Sequence, residues 1–468
     1  MERLLEIGKI AAKAASDIKD SRLGIGFEKL DRDVFNPEKA YDKVAAIGVK
    51  WVRLQSGWAR TEKVKGVYDF AWLDSIVDNM ISRGLRPWLC LCYGNGLYTE
   101  SANAYFGAVG CPPIFTEEEK TAWANYVQAT VAHFQDRITW YEVWNEPDGK
   151  WCWKHGVNAE EYGQFVVDTA VAIRHVYPEA RVIGGVICVR EIGFLNTALK
   201  TGMAQAIDAV SFHEYTAAEH KVFERVAVLR ALCRHYNPKI EIIQGESGSQ
   251  SRSDGAGALK GGAWTPRKQA KQLARHTIAD LISDVTFTSY FTTVDMIEAL
   301  NGLVGQKASY LDYGYFGVLG ADFDENGFST GEYTPKPSYY ALQTISSIFA
   351  EEVAPADLPV IRLPRESKRI FGRDCDDFSI ISGGFRKPNG SCAFAYWNST
   401  DLMTTEFEST ITLQAATLGD DIRLVDLLSG TVYRLPDSIL EKQQDGCVLL
   451  KNLPLTDYPL LLTFGDFL

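Results

Sequence analysis

The run Thr139-Trp140-Tyr141-Glu142-Val143-Trp144-Asn145 is rich in aromatic and β-branched side chains, and it ends at the dipeptide Glu146-Pro147. Its length and composition are those of a buried strand, and the proline marks where that strand stops. Asn158 with Glu161 then begins a helical pattern. This stretch therefore predicts a strand followed by a helix, which is the unit of a parallel sheet.

The same unit recurs along the chain from Leu23 to Ala350. Seven further runs have strand character: Leu23–Phe27, Trp51–Gln55, Pro87–Tyr93, Arg181–Val186, Ala209–His213, Glu241–Gly245 and Val285–Tyr290. Helix ends separate them, among them Asn36-Pro37 and Gly48, the pair Thr116 with Glu119, and Thr265-Pro266. Eight strand–helix units close without an edge, so the sequence predicts an α/β fold, a (β/α)8 TIM barrel over residues 21–350. A doubly wound open sheet is the alternative.

Residues 351–468 have a different pattern, with alternating runs separated by turn residues, and they predict a C-terminal antiparallel β-sandwich domain. The strand candidates are Asp377–Arg386, Cys392–Asn398, Glu406–Leu413, Ile422–Leu427 and Tyr458–Phe464. At the other end, residues 1–20 place Ile7, Ala11, Ala14 and Ile18 at helical spacing, which predicts an amphipathic helix packed on one of the two domains. The sandwich would support the barrel or a contact between copies in a homo-oligomer, and the pattern does not choose between them.

Composition excludes several classes of partner. The 468 residues carry 48 Lys and Arg against 60 Asp and Glu, a net charge of -12, which argues against binding nucleic acid or an anionic membrane surface. No apolar run approaches the length of a membrane span. The nine cysteines (90, 92, 111, 152, 188, 233, 375, 392 and 447) are an odd, scattered set, which is typical of reduced thiols and favours the cytoplasm. A secreted or periplasmic location would require a leader ahead of this sequence. No nucleotide or metal motif is present, so we expect no cofactor and no metal.

Two carboxylates stand where a barrel carries its chemistry. Strand four ends at Asn145-Glu146, and strand seven ends at Gly245-Glu246-Ser247. Because the carboxyl ends of barrel strands meet at one rim, Glu146 and Glu246 should face each other across it. One acid to protonate a leaving oxygen and one carboxylate to attack or stabilise the anomeric carbon are what glycoside hydrolysis needs.

These motifs resemble the glycoside hydrolases of clan A, and within that clan they are most similar to family 39. The residues that carry the resemblance are Trp140 to Asp148, Gly245-Glu246-Ser247, Phe212-His213-Glu214-Tyr215, Pro335 to Tyr340 and Asp457-Tyr458-Pro459, so that it spans about residues 20 to 468. The resemblance implies that Glu146 is the general acid/base, that Glu246 is the nucleophile and that Asn145 donates to the 2-hydroxyl of the sugar. It also implies a retaining mechanism on β-linked sugars, with β-xylosides first.

Further residues are candidates to support this pair or bind the sugar. Arg53 on strand two would keep Glu246 charged, or else form a structural ion pair with Glu142. His213 and Tyr215 share a face of strand six, so Tyr215 could donate to Glu246 while His213 orients the site. The sugar-binding candidates at the rim are Asn95, Trp151, Trp153, Trp264 and Tyr290. Glu28 or Lys29 after strand one is a further polar candidate at the first rim, although the adjacent opposite charges favour a solvated charge pair.

Two loops, a leading function and three alternative functions complete the prediction. Gly248–Gly262 would be a mobile flap or a passive surface loop, and Phe291–Thr334 would set leaving-group specificity. The predicted function is a retaining glycosidase, β-xylosidase-like or a related exo-β-glycosidase, with an oligosaccharide or glycoside as its substrate. The alternatives are an endo-acting glycanase with the same pair, a transglycosylase, and a catalytically silent carbohydrate-binding protein. Strand two and strand eight depart from the family pattern, which bears on the sugar more than on the chemistry.

Overall fold

Eight parallel strands close into a barrel in the computed structural model, which describes residues 4–103, 106–188, 191–299, 306–363, 379–416, 418–419, 421–444 and 446–468. The barrel strands, first to eighth, are Leu23–Gly26, Trp51–Gln55, Arg86–Leu91, Trp140–Val143, Arg181–Ile187, Ala209–His213, Glu241–Ser247 and Thr288–Tyr290. Each of the eight predicted runs overlaps one of them. The predicted TIM barrel is confirmed.

The helices surround the barrel, and several begin where the sequence signals place them. They are Tyr41–Ile47, Trp58–Thr61, Ala71–Ser82, Glu117–Phe134, Ala159–Val176, Ile192–Ala198, Ala204–Ala206, Lys221–Tyr236, Pro266–Ile282 and Pro337–Ile348. Thr116 accepts from the Glu119 amide in the predicted capping box, and Asn158 and Thr265 cap their helices in the same way. Gly48 takes a φ of 84° at the end of the first helix, a conformation that favours glycine.

Aromatic side chains fill the amino end of the barrel. Trp51 stacks on Phe287 with ring centroids 4.4 Å apart, and Trp88 and Trp140 pack edge-on against Trp51. Trp51 and Trp140 are the first residues of their strands, so this cluster closes the end of the barrel opposite the predicted site.

The C-terminal region contains the two antiparallel sheets of a sandwich, which confirms the predicted architecture. Strands Ala354–Ala356, Ile380–Arg386, Cys392–Asn398, Ile422–Asp426, Thr431–Arg434 and Leu460–Phe464 belong to a seven-stranded sheet, and Val360–Arg362, Glu408–Ala415, Leu440–Lys442 and Val448–Thr456 form a four-stranded sheet. Leu424, Leu453 and Leu462 belong to the apolar core of this region. Cys375 and the first residues of the Asp377–Arg386 candidate lie outside the described residues.

The N-terminal helix prediction is wrong. Leu5–Lys9 is a strand that pairs antiparallel with Thr431–Arg434 and supplies the seventh strand of the larger sheet, and Ala15–Asp17 is a single 3-10 turn. Ile7 is 40% exposed rather than buried on a helix face. A short isolated helix is marginal in water, whereas the open edge of the sheet offers this segment a row of backbone partners.

Buried polar contacts join the barrel to the sandwich. Arg275 on helix Pro266–Ile282 forms a fully buried ion pair with Glu219 and donates to the Thr400 carbonyl. Trp397 of the sandwich donates its indole N–H to the same Glu219 at 2.8 Å. The eight described cysteines are free thiols. None of the helices in the described ranges is long and apolar enough to traverse a membrane.

Candidate active site

Glu146 and Glu246 lie together in a cavity of about 690 Å³ at the carboxyl end of the barrel. Glu146 follows strand four and is 7% exposed, while Glu246 lies at the end of strand seven and is 9% exposed. One carboxylate oxygen of each and one ring nitrogen of His213 are all within 4.8 Å of one another. The two carboxylates that the sequence placed on separate strands thus share one site.

The backbone around Glu146 adopts a conformation that is uncommon for its residue types. Trp144 and Glu146 have φ values of 68° and 44°, in the left-handed region where a side chain is strained. The buried Trp144 indole packs edge-on against Trp153 and donates to the Cys152 carbonyl at 2.8 Å. This packing holds the turn that places Glu146 in the cavity.

Arg53 bridges the carboxylates of Glu142 and Glu246. Its side chain is fully buried, and its Nη1 donates to Glu246 at 2.7 Å while Nε and Nη2 both reach Glu142. Nη2 also donates to Asn145 Oδ1 at 2.7 Å. The two roles that the sequence left open for Arg53 are therefore combined, since one guanidinium pairs with Glu142 and with Glu246.

His213 and Tyr215 contact the carboxylates as their spacing on strand six predicts. His213 Nδ1 lies 2.8 Å from Glu146 Oε1 and 3.6 Å from Glu246 Oε2. The Tyr215 hydroxyl donates to Glu246 Oε1. Burial and the adjacent negative charge of Glu246 raise the pKa of Tyr215, so its hydroxyl remains a protonated donor.

Glu146 and His213 shift each other's pKa values in opposite directions. Burial opposes the charge on Glu146, but hydrogen bonds from His213 and from the Trp151 indole outweigh it and lower the pKa of Glu146. Burial also opposes the charge on His213, yet the negative charge of Glu246 and the hydrogen bond to Glu146 raise its pKa overall. Both shifts favour a charged imidazolium within hydrogen-bond distance of a charged carboxylate.

The residues proposed to bind sugar divide into two groups. Asn145, Trp151 and Tyr215 line the cavity, and the Trp151 indole donates to Glu146 Oε2. Asn95 does not bind there, because it donates to the Glu62 carbonyl at 2.8 Å and caps the Leu97 amide within its own loop.

The three remaining aromatic candidates pack behind the cavity wall and do not line it. Trp153 packs against Trp144 and Phe165, Trp264 donates to the Leu259 carbonyl, and the Tyr290 hydroxyl bonds to Ser249. Like Asn95, these side chains are almost completely buried. The sequence suggested these three residues and Asn95 as sugar ligands only because they lie near strand ends at the rim. In the structure, each of the four stabilises a loop or a strand end instead.

The residues after strand one form a charged wall of the cavity, where the sequence favoured a solvated pair over a place in the site. Glu28 and Lys29 are 1% and 3% exposed and both line the cavity, so the solvated charge pair is wrong. Lys29 donates to the Ile297 carbonyl at 3.0 Å and lies 3.9 Å from Glu298, which lines the cavity as well. The position at the end of a barrel strand was the available signal, but adjacent opposite charges are more often on a surface.

Both long loops contribute to the cavity. The segment Gly248–Gly262 supplies Ala256, Gly257, Ala258 and Lys260 to the lining. It is fixed from both sides, because Gln250 donates to the Ala256 and Ala258 carbonyls and the Ala256 amide donates to Tyr313. In the described parts of 291–334, Phe291, Glu298, Asp312 and Phe316 line the cavity, and two hairpins form: Met296–Ile297 with Tyr313–Gly314, and Leu319–Phe323 with Ser329–Pro335.

The cluster of Glu146, His213 and Glu246 also has the donor atoms of a metal site. However, the guanidinium of Arg53 lies 2.7 Å from Glu246, and its positive charge opposes a bound cation. The carboxylates already accept hydrogen bonds from Tyr215 and Trp151. The arrangement therefore suits proton transfer and nucleophilic attack by the carboxylates better than metal ligation.

Residues 38–234 match the model of the glycosyl hydrolases family 39, and this stretch contains Arg53, Glu146 and His213. A β-xylosidase of Geobacillus stearothermophilus is 30% identical over 171 residues, which cover 34% of this chain and 33% of that protein. The chain thus aligns with about a third of the length of that curated relative.

Two solved structures share the fold over nearly the whole chain. A family 39 glycoside hydrolase from the gut symbiont Bacteroides cellulosilyticus WH2 is 17% identical with a TM-score of 0.63, covering 95% of this chain and 81% of that one. A monomeric β-xylosidase from Caulobacter crescentus CB15 is 19% identical with a TM-score of 0.59, covering 98% of each chain. In fold and in the matched segment, the chain is thus similar to the family 39 glycoside hydrolases of clan A. The predicted similarity to family 39 within that clan is confirmed.

Proposed function

We propose that this protein is a retaining glycoside hydrolase that cleaves β-linked glycosides through a covalent glycosyl-enzyme, in the manner of a β-xylosidase or a related exo-β-glycosidase. The observation that carries the proposal is the spacing of Glu146 and Glu246, which have carboxylate oxygens within 4.8 Å of each other. Retaining enzymes hold their two carboxyl groups about 5–5.5 Å apart, whereas inverting enzymes leave a gap of about 6.5–9.5 Å for water.

Glu246 is the nucleophile in this proposal. Arg53 and Tyr215 both donate to its carboxylate, which favours the charged form and orients an oxygen toward the sugar. Attack on the anomeric carbon forms an ester and breaks the glycosidic bond. As the negative charge on Glu246 is consumed, these two donors remain in place for the later departure of the carboxylate.

Glu146 is the acid and then the base. The proton for the leaving oxygen is held at the Glu146–His213 pair, and loss of charge on Glu246 weakens one of the causes that keep His213 protonated. The proton then passes through Glu146 to the leaving group. In the second step, Glu146 takes a proton from water while the water oxygen attacks the anomeric carbon. The bond from that carbon to Glu246 breaks, which frees the carboxylate and releases the sugar with overall retention.

Asn145 and the cavity walls would position the sugar. Asn145 lines the cavity beside Glu146, and Arg53 fixes its amide by donating to Oδ1, which leaves Nδ2 to donate. That orientation suits the hydroxyl next to the anomeric carbon. Trp151, which is held by its hydrogen bond to Glu146, presents a ring on which the leaving group can stack.

The test is a set of initial rates on nitrophenyl glycosides, beginning with the β-xyloside and including the β-glucoside, β-galactoside and α-arabinofuranoside. Glu246→Ala should abolish turnover, and azide should restore deglycosylation in Glu146→Ala. The matched control is Glu241→Ala, which removes a carboxylate from the other end of the same strand, where it pairs with Arg181. The control should retain nearly full rates.

Three results would contradict the proposal in part or in whole. Inversion at the anomeric carbon, followed by proton NMR, would refute the retaining mechanism. Turnover of long glycans but of none of the nitrophenyl glycosides would assign the site to an endo-acting glycanase. Sugar binding without any turnover would reduce the protein to a carbohydrate-binding role.

A further inference from the structure

Glu28 is a third carboxylate in the site, and neither half of the proposed mechanism uses it. It is 1% exposed and lines the cavity. Its Oε2 accepts from the Thr292 hydroxyl at 3.3 Å. Among the described residues, none donates a hydrogen bond to its Oε1, although Arg53 Nη1 lies 3.5 Å away.

A buried carboxylate oxygen without a donor is costly, so native structures usually provide one. The fold maintains this arrangement, because the carboxylate bends back over Gly26, where a Cβ would be 2.2 Å from Oε2. Any other residue at position 26 would displace the carboxylate. The missing donor is therefore expected from what the cavity binds, and sugar hydroxyls are donors.

Arg53 shows on which side of the nucleophile Glu28 lies. Its Nη1 contacts both Glu246 and Glu28, while its Nη2 contacts Asn145. Glu28 and Asn145 therefore contact different ends of one guanidinium group. A sugar ring over Glu246 would meet Asn145 with the hydroxyl next to the anomeric carbon, and it would meet Glu28 with another.

We propose that Glu28 is a specificity-determining residue. Its Oε1 accepts a hydrogen bond from a ring hydroxyl of the glycone, at C3 or C4 of the sugar rather than at C2. This rests on the proposed function and deepens it. The occupant is a neutral glycose with that hydroxyl free, because a carboxylate or sulfate there would meet the negative charge of Glu28.

Charge in the site supports this assignment. Burial raises the pKa of Glu28 to about 7, with the charge of Arg53 opposing that rise and the charge of Glu246 adding to it. A hydroxyl donor stabilises the ionised form, so binding of the sugar would release a proton near neutral pH. Glu298 repeats the pattern on the facing loop, since its Oε1 also has no hydrogen-bond partner among the described residues.

The experiment compares the nitrophenyl glycoside that is turned over fastest with its 3-deoxy and 4-deoxy derivatives, in the wild type, Glu28→Gln and Glu142→Gln. Glu142 is the matched control, because it is a buried partner of Arg53 that does not line the cavity. Loss of a hydrogen bond to a charged group should lower kcat/KM of Glu28→Gln by about 10- to 100-fold for the parent glycoside. For the deoxy derivative that lacks the hydroxyl bound by Glu28, the Glu28→Gln substitution should lower kcat/KM by less than about threefold.

Equal losses for the parent and both deoxy derivatives, as expected for Glu142→Gln, would show that Glu28 acts only through Arg53 and would overturn the inference. That outcome leaves the proposed function intact, since the wild type turns over the parent. Wild-type protein that turns over no glycoside would overturn both. If Glu28→Gln does not fold, as judged by thermal unfolding, Glu28→Asp, with its shorter side chain, is compared in the same way.

Discussion

Replacement of Arg53 by methionine should destabilise the protein strongly at pH 8 and much less at pH 5. The guanidinium is fully buried and contacts the carboxylates of Glu142, Glu246 and Glu28. Methionine has a similar reach but no charge, so these three groups would remain buried without their common partner. Removing one partner from a buried ion pair costs about 3–5 kcal/mol.

The pH dependence arises because a buried carboxylate without a partner can avoid the cost of its charge by binding a proton. A buried carboxylate can take up a proton instead of remaining charged, at about 1.4 kcal/mol for each pH unit above its ordinary pKa of about 4.3. For each stranded glutamate this costs about 5 kcal/mol at pH 8 and about 1 kcal/mol at pH 5. Protons are then bound more tightly in the folded state, so stability is lost as the pH rises.

The assay is urea denaturation of the wild type and Arg53→Met at pH 5 and pH 8. We expect the variant to lose at least about 3–5 kcal/mol relative to the wild type at pH 8, the cost of one stranded glutamate, and at most about 3 kcal/mol at pH 5, the cost of protonating all three. The control is Arg83→Met, which removes an ion pair to the exposed Asp42 and should change the free energy of unfolding by less than about 1 kcal/mol at either pH. An equal loss at both pH values for Arg53→Met would refute the reasoning.

Three further substitutions test single contacts. Tyr215→Phe removes the hydroxyl that donates to Glu246 and should lower kcat/KM by about 10- to 100-fold; an unchanged rate would argue against that contact. Trp151→Phe removes one of the hydrogen bonds that lower the pKa of Glu146, so the limb of the pH–rate profile due to Glu146 should move to higher pH. A downward movement would contradict this. Asn95→Ala should cost about 1–2 kcal/mol of stability while kcat/KM stays within about twofold, and a selective rise in KM would restore it as a sugar ligand.

The barrel and the carboxylate pair could be predicted because they follow from local patterns and one general rule. Strand runs and helix caps such as Thr116 with Glu119 are written in neighbouring residues. The rule that barrel strand ends share a rim then brings Glu146 and Glu246 together although they are far apart in the chain. Alternation along strand six likewise predicted that Tyr215 reaches Glu246.

The remaining features depend on depth and on distant partners, which local patterns do not encode. Glu28-Lys29 has the sequence of a surface ion pair, and only the closed barrel shows that Arg53 and Glu298 make its burial tolerable. Asn95 lies at the rim, but the backbone of its own loop occupies its amide. The strand Leu5–Lys9 lacked any local sign of its partner, because that partner lies at the other end of the chain.

That last pairing sets an order of events during synthesis. Leu5–Lys9 leaves the ribosome before the barrel, and its partner Thr431–Arg434 follows only after the whole barrel has been translated. At about 5–20 residues per second, the N-terminal strand waits on the order of tens of seconds for that partner. It lies at one edge of the larger sheet, so its insertion can be a late step after the barrel has closed. Until then, the nascent chain carries an unpaired strand that ribosome-associated chaperones would have reason to shield.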